Sequence, residues 1–220
     1  MGVPLYRQEK IWDDRGLVLP RNMMANWCIK LSEYYFEPIY NLMIKQIKEQ
    51  SQLLHCDETT MQCNKEPGKN ASNKSYMWVL ASGELEKKKG VIFSYSKSRS
   101  NEVAQKFLKD YKGILITDGR IPLTNSKCGR SIRPFAVHRK NWLFADTPDG
   151  AKANAIYYSL IETAKVNHLN INKYIKYLLE TLPQLEGEQA EEEIEKYLPW
   201  SEELPEDILN FQGTYNDLVV

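Results

Sequence analysis

Four short apolar segments in the middle of the chain constrain its fold more than any other feature. They are Leu53–Asp57, Tyr76–Ala81, Val91–Tyr95 and Ile114–Thr117. Each is rich in β-branched or aromatic residues and is bounded by polar turn residues, a pattern that predicts strands. An amphipathic stretch, Asn101–Tyr111, precedes the last segment and predicts a helix. This order predicts three strands in an antiparallel meander, followed by a crossover helix to a fourth strand.

Helical patterns lie on both sides of these strands. Leu5–Trp12 and Arg21–Gln50 precede them, and Pro38 is expected to kink or divide the second helix. Ala151–Val166 and Asn170–Leu182 follow the strands with the same three-to-four-residue apolar spacing. The predicted fold class is therefore α/β (α+β), with a central sheet flanked by N-terminal and C-terminal helices.

Composition limits where the chain works and what it binds. Lys+Arg and Asp+Glu both number 29, so the net charge is zero and any binding of nucleic acid must come from local patches. No secretory signal pattern and no apolar run of about 18 residues is present, which predicts a cytoplasmic protein with no membrane partner. The cysteines show no CxxC pair and no histidine at zinc spacing, so free thiols are predicted for Cys28, Cys56, Cys63 and Cys128.

Two acidic residues follow two of the apolar strands. Asp57 comes after LLHC, and Asp118 comes after ILIT. If these strands are neighbours, the two carboxylates meet at one edge of the sheet. Such hard oxygen ligands suit Mg²⁺ or Mn²⁺, and a pair of these ions supports phosphodiester chemistry. The alternative is that both residues are ordinary turn formers.

Several longer stretches resemble the DDE transposases of the insertion sequence 66 family. The resemblance covers most of Pro4–Pro183, and its longest stretch, Ser131–Lys165, is also its most specific. The matching stretches are PLYRQEKIW (Pro4–Trp12), HCDETTMQ (His55–Gln62), KEPGKNASNKSYMWV (Lys65–Val79), ITDG (Ile116–Gly119) and SIRPFAVHRKNWLFADTPDGAKANAIYYSLIETAK (Ser131–Lys165).

The resemblance implies a ribonuclease-H-like core that cuts and joins DNA for transposition, with Mg²⁺ or Mn²⁺ as cofactor. It implies that Asp57 and Asp118 are the first two catalytic, metal-binding acids. The implied partners are DNA at the element ends and intact transposase copies or further copies of this chain. The expected organisation is a helical region at 1–50, the core at 51–145, a C-terminal helical domain at 146–183 and an acidic tail at 184–220.

The sequence departs from this family at the position of the third catalytic acid. That place, just before the SIRPF segment, is Gly129, whose side chain neither binds metal nor acts as a base. Glu58 is expected to point to the opposite face from Asp57, so it is a poor substitute. Glu162 is expected to be a surface charge.

A second departure is the short distance between Asp118 and Gly129, where the family has a long segment. A deletion that joined two similar Asp-Gly sites would explain this short distance. Asp118 would then correspond either to the upstream or to the downstream Asp of the family. The family's upstream DNA-binding region with its zinc-type cysteines is also missing, so an N-terminally truncated, internally deleted copy with an incomplete core is expected. Two interpretations stay open: a transposase with little or no activity, and a non-catalytic remnant that binds DNA or other proteins.

Basic and aromatic residues alternate between positions 130 and 142, as they do in segments that bind a nucleic-acid backbone. The alternative is that the aromatic residues form the core and the charges only flank them. Both are expected in part, with aromatic residues inward and Arg139 and Lys140 toward phosphate. The predicted DNA-binding residues are Arg130, Arg133, Arg139 and Lys140.

Overall fold

The structure is a computed structural model, and it describes most of the sheet and the helices around it. Several sequence predictions fall outside the described residues, including most of the predicted helix at 101–111, the acidic run at 186–192 and the C-terminal tail from 210. The described residues are 3–70, 72–100, 108–117, 131, 133, 135–136, 145–185 and 193–209.

A four-stranded mixed sheet forms the centre of the fold. Its strands are β1 (Leu53–Gln62), β2 (Lys74–Ser82), β3 (Val91–Ser96) and β4 (Ile114–Thr117), in the spatial order β3-β2-β1-β4. The first three strands pair antiparallel, and β4 pairs parallel to β1. The predicted meander with a fourth strand joined by a crossover is therefore confirmed, and so is the mixed α/β class.

Strand β1 is longer than the sequence predicted. Its apolar part ends near Asp57, but Glu58 pairs with Trp78 and the pairing continues to Gln62 opposite Lys74. The prediction that Asp57 ends its strand is wrong, because it lies in the middle of β1 opposite Val79. Cross-strand pairing with β2 extends the strand through a stretch whose own residues are mostly polar.

The N-terminal region is a short helix followed by a long helix that a π-helical segment divides in two. Helix α1 (Leu5–Asp13) leads to α2 (Arg21–Leu31), a π-helical segment (Ser32–Phe36) and α3 (Glu37–Gln50). Pro38 lies in the first turn of α3, directly after the π-helical segment. The predicted interruption at Pro38 is confirmed, since its ring removes one backbone donor and crowds the preceding turn.

The C-terminal helices begin with side-chain caps. Helix α4 (Pro148–Val166) starts after Thr147, whose hydroxyl accepts a hydrogen bond from the Gly150 backbone N–H at 3.1 Å. Helix α5 (Ile171–Thr181) starts after Asn170, whose side chain accepts from the Lys173 N–H at 3.1 Å. The short elements that follow are 3₁₀ turns at Leu182–Gln184 and Glu195–Tyr197 and helix α6 (Glu206–Leu209). No helix in the described ranges is long and apolar enough to cross a membrane.

Helix α4 lies along the outer edge of β3 and contributes to the hydrophobic cores on both faces of the sheet. Ile156 and Leu160 join the core that contains α3 and Leu80, whereas Ala151 and Ala155 join the core on the other face. The position of α4 corrects one expectation about a charge. Glu162 is only 7% exposed and pairs with Lys165 at 2.6 Å, because a helix enclosed on several sides has little outward surface.

Candidate functional site

Asp57 occupies a central position in the sheet. It follows Cys56, which lies opposite Leu80 of β2 and Thr117 of β4. The side chain is half-buried, and one carboxylate oxygen accepts a hydrogen bond from the Glu58 backbone N–H at 2.8 Å. A carboxylate held by its own backbone keeps a defined orientation, as a metal-binding or catalytic group requires.

Most of the other predicted site residues lie outside the described part of the chain. Strand β4 is described up to Thr117, and Asp118 is the next residue in the sequence. Asp118 itself lies beyond the described residues, and its predicted role stays a prediction. The same holds for Gly129, Arg130, Arg139 and Lys140.

Glu58 faces away from Asp57, as expected. Asp57 lies opposite Val79, which belongs to one core, whereas Glu58 lies opposite Trp78, which belongs to the core on the other face. The Glu58 carboxylate forms an ion pair with the Arg99 guanidinium. Glu58 is therefore on the wrong face and already paired, so it does not replace a missing catalytic acid.

The residues that precede Asp57 are buried. His55 is 8% exposed and lies opposite Ala81 and Ile116, as a packed strand residue does. Burial, together with the nearby charges of Glu58 and Asp57, raises the pKa of the Cys56 thiol to about 12. At neutral pH this thiol is protonated and is not a nucleophile. The predicted free thiols are confirmed for the described cysteines Cys28, Cys56 and Cys63.

The predicted Mg²⁺ or Mn²⁺ site depends on residues beyond the described ones. Within the described ranges, no three histidine, cysteine or acidic side chains come together in a way that could hold a metal ion. Asp57 alone provides one carboxylate, and two-metal chemistry needs several ligands around both ions. The described geometry does not assign a metal-dependent step to Asp57.

Phe135, the last residue of the SIRPF segment, packs on the same face of the sheet as Asp57. Phe135 is fully buried, with its ring centre 6.0 Å from that of Phe93 and 5.1 Å from that of Tyr158. Arg133, two residues earlier, is exposed. The expected arrangement, aromatic residues inward and basic residues outward, is thus confirmed for Phe135 and Arg133. Contact between Arg133 and DNA stays a prediction.

A polar network in the β1–β2 connection was not predicted. The Lys69 ammonium group donates to the Lys74 carbonyl at 2.6 Å, to the Lys97 carbonyl at 2.7 Å and to the Ser75 hydroxyl at 3.0 Å. The buried Glu66 carboxylate accepts from the hydroxyl groups of Ser75 and Tyr95. The sequence KEPGKNASNKS predicted only a polar turn, and nothing in this stretch indicates that the Lys69 ammonium group is held by three acceptors.

Comparisons with known proteins identify the family. The model described as "Transposase IS66 family" matches residues 1–119 and 115–153, and the model described as "IS66 C-terminal element" matches residues 159–200. Residues 115–119, with the sequence LITDG, belong to both ranges of the first model.

Curated relatives come from Sinorhizobium fredii (strain NBRC 101917 / NGR234). Uncharacterized protein y4hP is 30% identical over 108 residues, which is 47% of this chain and 19% of the relative. Uncharacterized protein y4qI is 34% identical over 86 residues, 39% of this chain and 15% of the relative. The matched part thus spans about a fifth of the length of these relatives. No solved structure matches. On the family matches, which together cover most of its length, the chain belongs to the IS66 family of transposases.

Proposed function

We propose that this chain is a degenerate transposase that binds DNA but does not cut or transfer strands. The observation that carries the proposal is the double match of Leu115–Gly119 to the family model. In a chain that follows the family sequence without a deletion, the two matched ranges would not be expected to share residues. A deletion between two similar sequences leaves one shared copy at the junction, which is the pattern seen at LITDG.

The length of the connection supports the same conclusion. Only residues 119–128 separate Asp118 from Gly129. A crossover between parallel strands needs about a dozen residues or more, usually including a helix. The family's segment at this place is therefore too short here to contain the elements that normally complete such a core.

The missing carboxylate supports it independently. Chemistry with two metal ions in this family relies on three acids, and Gly129 stands where the third is expected. Among the described residues near Asp57, Glu58 forms an ion pair with Arg99 on the other face of the sheet.

We assign the sheet to a ribonuclease-H-like core on the basis of its strand order and its parallel β1–β4 pair.

A second candidate function is residual metal-dependent cleavage. Cys56 and Thr117 lie opposite each other on β1 and β4, and Asp57 and Asp118 are the residues that directly follow them. This arrangement favours two carboxylates at one place in the sheet. We rank it second because two acids without the third leave the ligand set of the family incomplete.

The test uses purified chain, an end-labelled duplex that carries the element ends, and either Mg²⁺ or Mn²⁺. We expect salt-sensitive binding and no labelled fragments. Cleavage that disappears in Asp57→Ala but persists in the control Asp13→Ala, an exposed acid at the end of α1, would establish the second candidate. A chain that fails to bind the duplex at low salt contradicts the proposal.

A further inference from the structure

Basic residues from two separate segments lie at one end of the strands of the sheet. The C-terminal ends of β1, β3 and β4 and the N-terminal end of β2 lie at this end, as their pairing directions require. The connection at 63–73, the start of β2 and the segment at 96–100 contain one acidic residue, Glu66, which is buried. The basic residues there, which we call the basic rim, are Lys65, Lys69, Lys74, Lys97 and Arg99.

Lys69 holds the two halves of the basic rim together. Its ammonium group donates to the backbone carbonyls of Lys74 and Lys97, so the start of β2 and the segment after β3 are fixed against each other. The register places Tyr76 opposite Ser96, next to these residues. The other basic side chains are therefore presented from a rigid backbone, which lowers the entropic cost of binding a ligand.

The charges of the basic rim are only partly neutralised. Lys65 pairs with Asp146 at 2.6 Å, and Arg99 pairs with Glu58. Lys74 and Lys97 are exposed and form no ion pair with any residue that the structure describes. A chain with zero net charge thus carries a local excess of positive charge at this end of the sheet.

We propose that the basic rim binds the phosphate groups of duplex DNA, with Lys74 and Lys97 as direct contacts. The proposal rests on the DNA binding proposed above and assigns it to residues other than Arg130, Arg133, Arg139 and Lys140. Lysine ammonium groups and exposed amide side chains such as those of Asn70 and Asn73 are typical donors to phosphate oxygens. The ion pair between Arg99 and Glu58 connects this surface to the strand that carries Asp57. DNA held on the basic rim therefore lies beside the strand that carries the catalytic aspartate of the family.

The test compares the salt dependence of binding in two charge-matched double variants. Lys74→Gln/Lys97→Gln removes two charges from the basic rim, whereas Lys45→Gln/Lys87→Gln removes two exposed charges elsewhere, on α3 and in the β2–β3 turn. The probe is a short fluorescein-labelled duplex of mixed sequence, followed by anisotropy over a series of NaCl concentrations. Each phosphate contact contributes about 0.9 to the slope of log affinity against log salt.

We expect the slope for the rim variant to be smaller in magnitude by about 1.8, with the control slope unchanged. The affinity of the rim variant falls by about 8-fold per lost contact near 0.1 M salt, by the same relation. Both variants should keep the melting temperature of the unaltered chain, since the substituted side chains are exposed. Equal slopes in the two variants would overturn the basic rim while leaving DNA binding in place. A duplex that no form of the chain binds would overturn both proposals.

Discussion

Two hydroxyl groups on α4 form hydrogen bonds with the backbone of β3, the outer strand of the sheet. Removing them tests how much these bonds stabilise the fold. The Phe93 N–H donates to Ser159 Oγ at 2.8 Å. The Val91 N–H donates to Thr163 Oγ1 at 3.0 Å, and the same hydroxyl donates to the Val91 carbonyl at 3.0 Å. These groups are buried, and an edge strand without such cover exposes unpaired backbone groups.

The structure predicts that the two hydroxyls are not equivalent. Thr163→Val leaves both polar groups of Val91 without these bonds, and each unsatisfied buried group costs about 1–3 kcal/mol, so the free energy of unfolding should fall by about 2–6 kcal/mol. Ser159→Ala leaves only the Phe93 N–H, because the Phe93 carbonyl still accepts from the Tyr40 hydroxyl at 2.7 Å. Its expected cost is about 1–3 kcal/mol.

Urea denaturation followed by circular dichroism measures both losses. The matched control is Thr181→Val at the end of α5, whose hydroxyl donates only to the Tyr177 carbonyl one turn earlier. That carbonyl is already part of the helix, so the expected change is about 0.5 kcal/mol or less. If Thr163→Val and Thr181→Val lose the same stability, the edge of β3 does not depend on α4 and the reasoning is refuted.

Two further predictions concern β4 and β1. A Cβ atom at Gly113 would lie 2.5 Å from the Gln52 carbonyl oxygen, so Gly113→Ala should lower the unfolding free energy by about 1–3 kcal/mol. Gly83→Ala, where the nearest atom is 3.4 Å away, should cost clearly less in the same urea experiment. The Cys56 thiol has its pKa raised to about 12 from an ordinary value of 9.0. The folded state favours the protonated thiol, and this contribution to the free energy of unfolding is complete below pH 9 and is lost as the pH rises toward 12. Stability should therefore fall by about 1 kcal/mol per pH unit between pH 9 and pH 12. The fall should be shallower by that amount in Cys56→Ala, and parallel pH profiles would contradict it.

The order of the sheet was predictable from local patterns. Short β-branched and aromatic runs separated by polar turns define β2, β3 and β4, and a meander followed by a crossover leaves few alternative topologies. The extension of β1 beyond Asp57 was not predictable in this way, because Glu58–Gln62 is mostly polar. That stretch is a strand because β2 pairs with it, and cross-strand pairing depends on the fold rather than on the residues alone.

The candidate site was predictable only where a residue's neighbours in sequence decide its surroundings. Strand alternation sufficed to place Glu58 and Asp57 on opposite faces. The Lys69 network was missed because one of its acceptors is the carbonyl of Lys97, far away in the sequence. The burial of Glu162 was missed because α4 packs along a sheet edge and contacts both cores, which the amphipathic pattern does not reveal.

Strand transfer by a Gly129→Glu variant would distinguish a core that lacks a whole segment from one that lacks a single acid, since the substitution restores the acid without restoring the segment. The measurement is the joining of end-labelled element DNA to a target plasmid in the presence of Mn²⁺, with an intact IS66 family transposase as the positive control. We expect no joined product above the level of Asp57→Ala in the same background. Joined product that depends on both the introduced carboxylate and Asp57 would show that the core is complete apart from one side chain, and would contradict the proposed internal deletion.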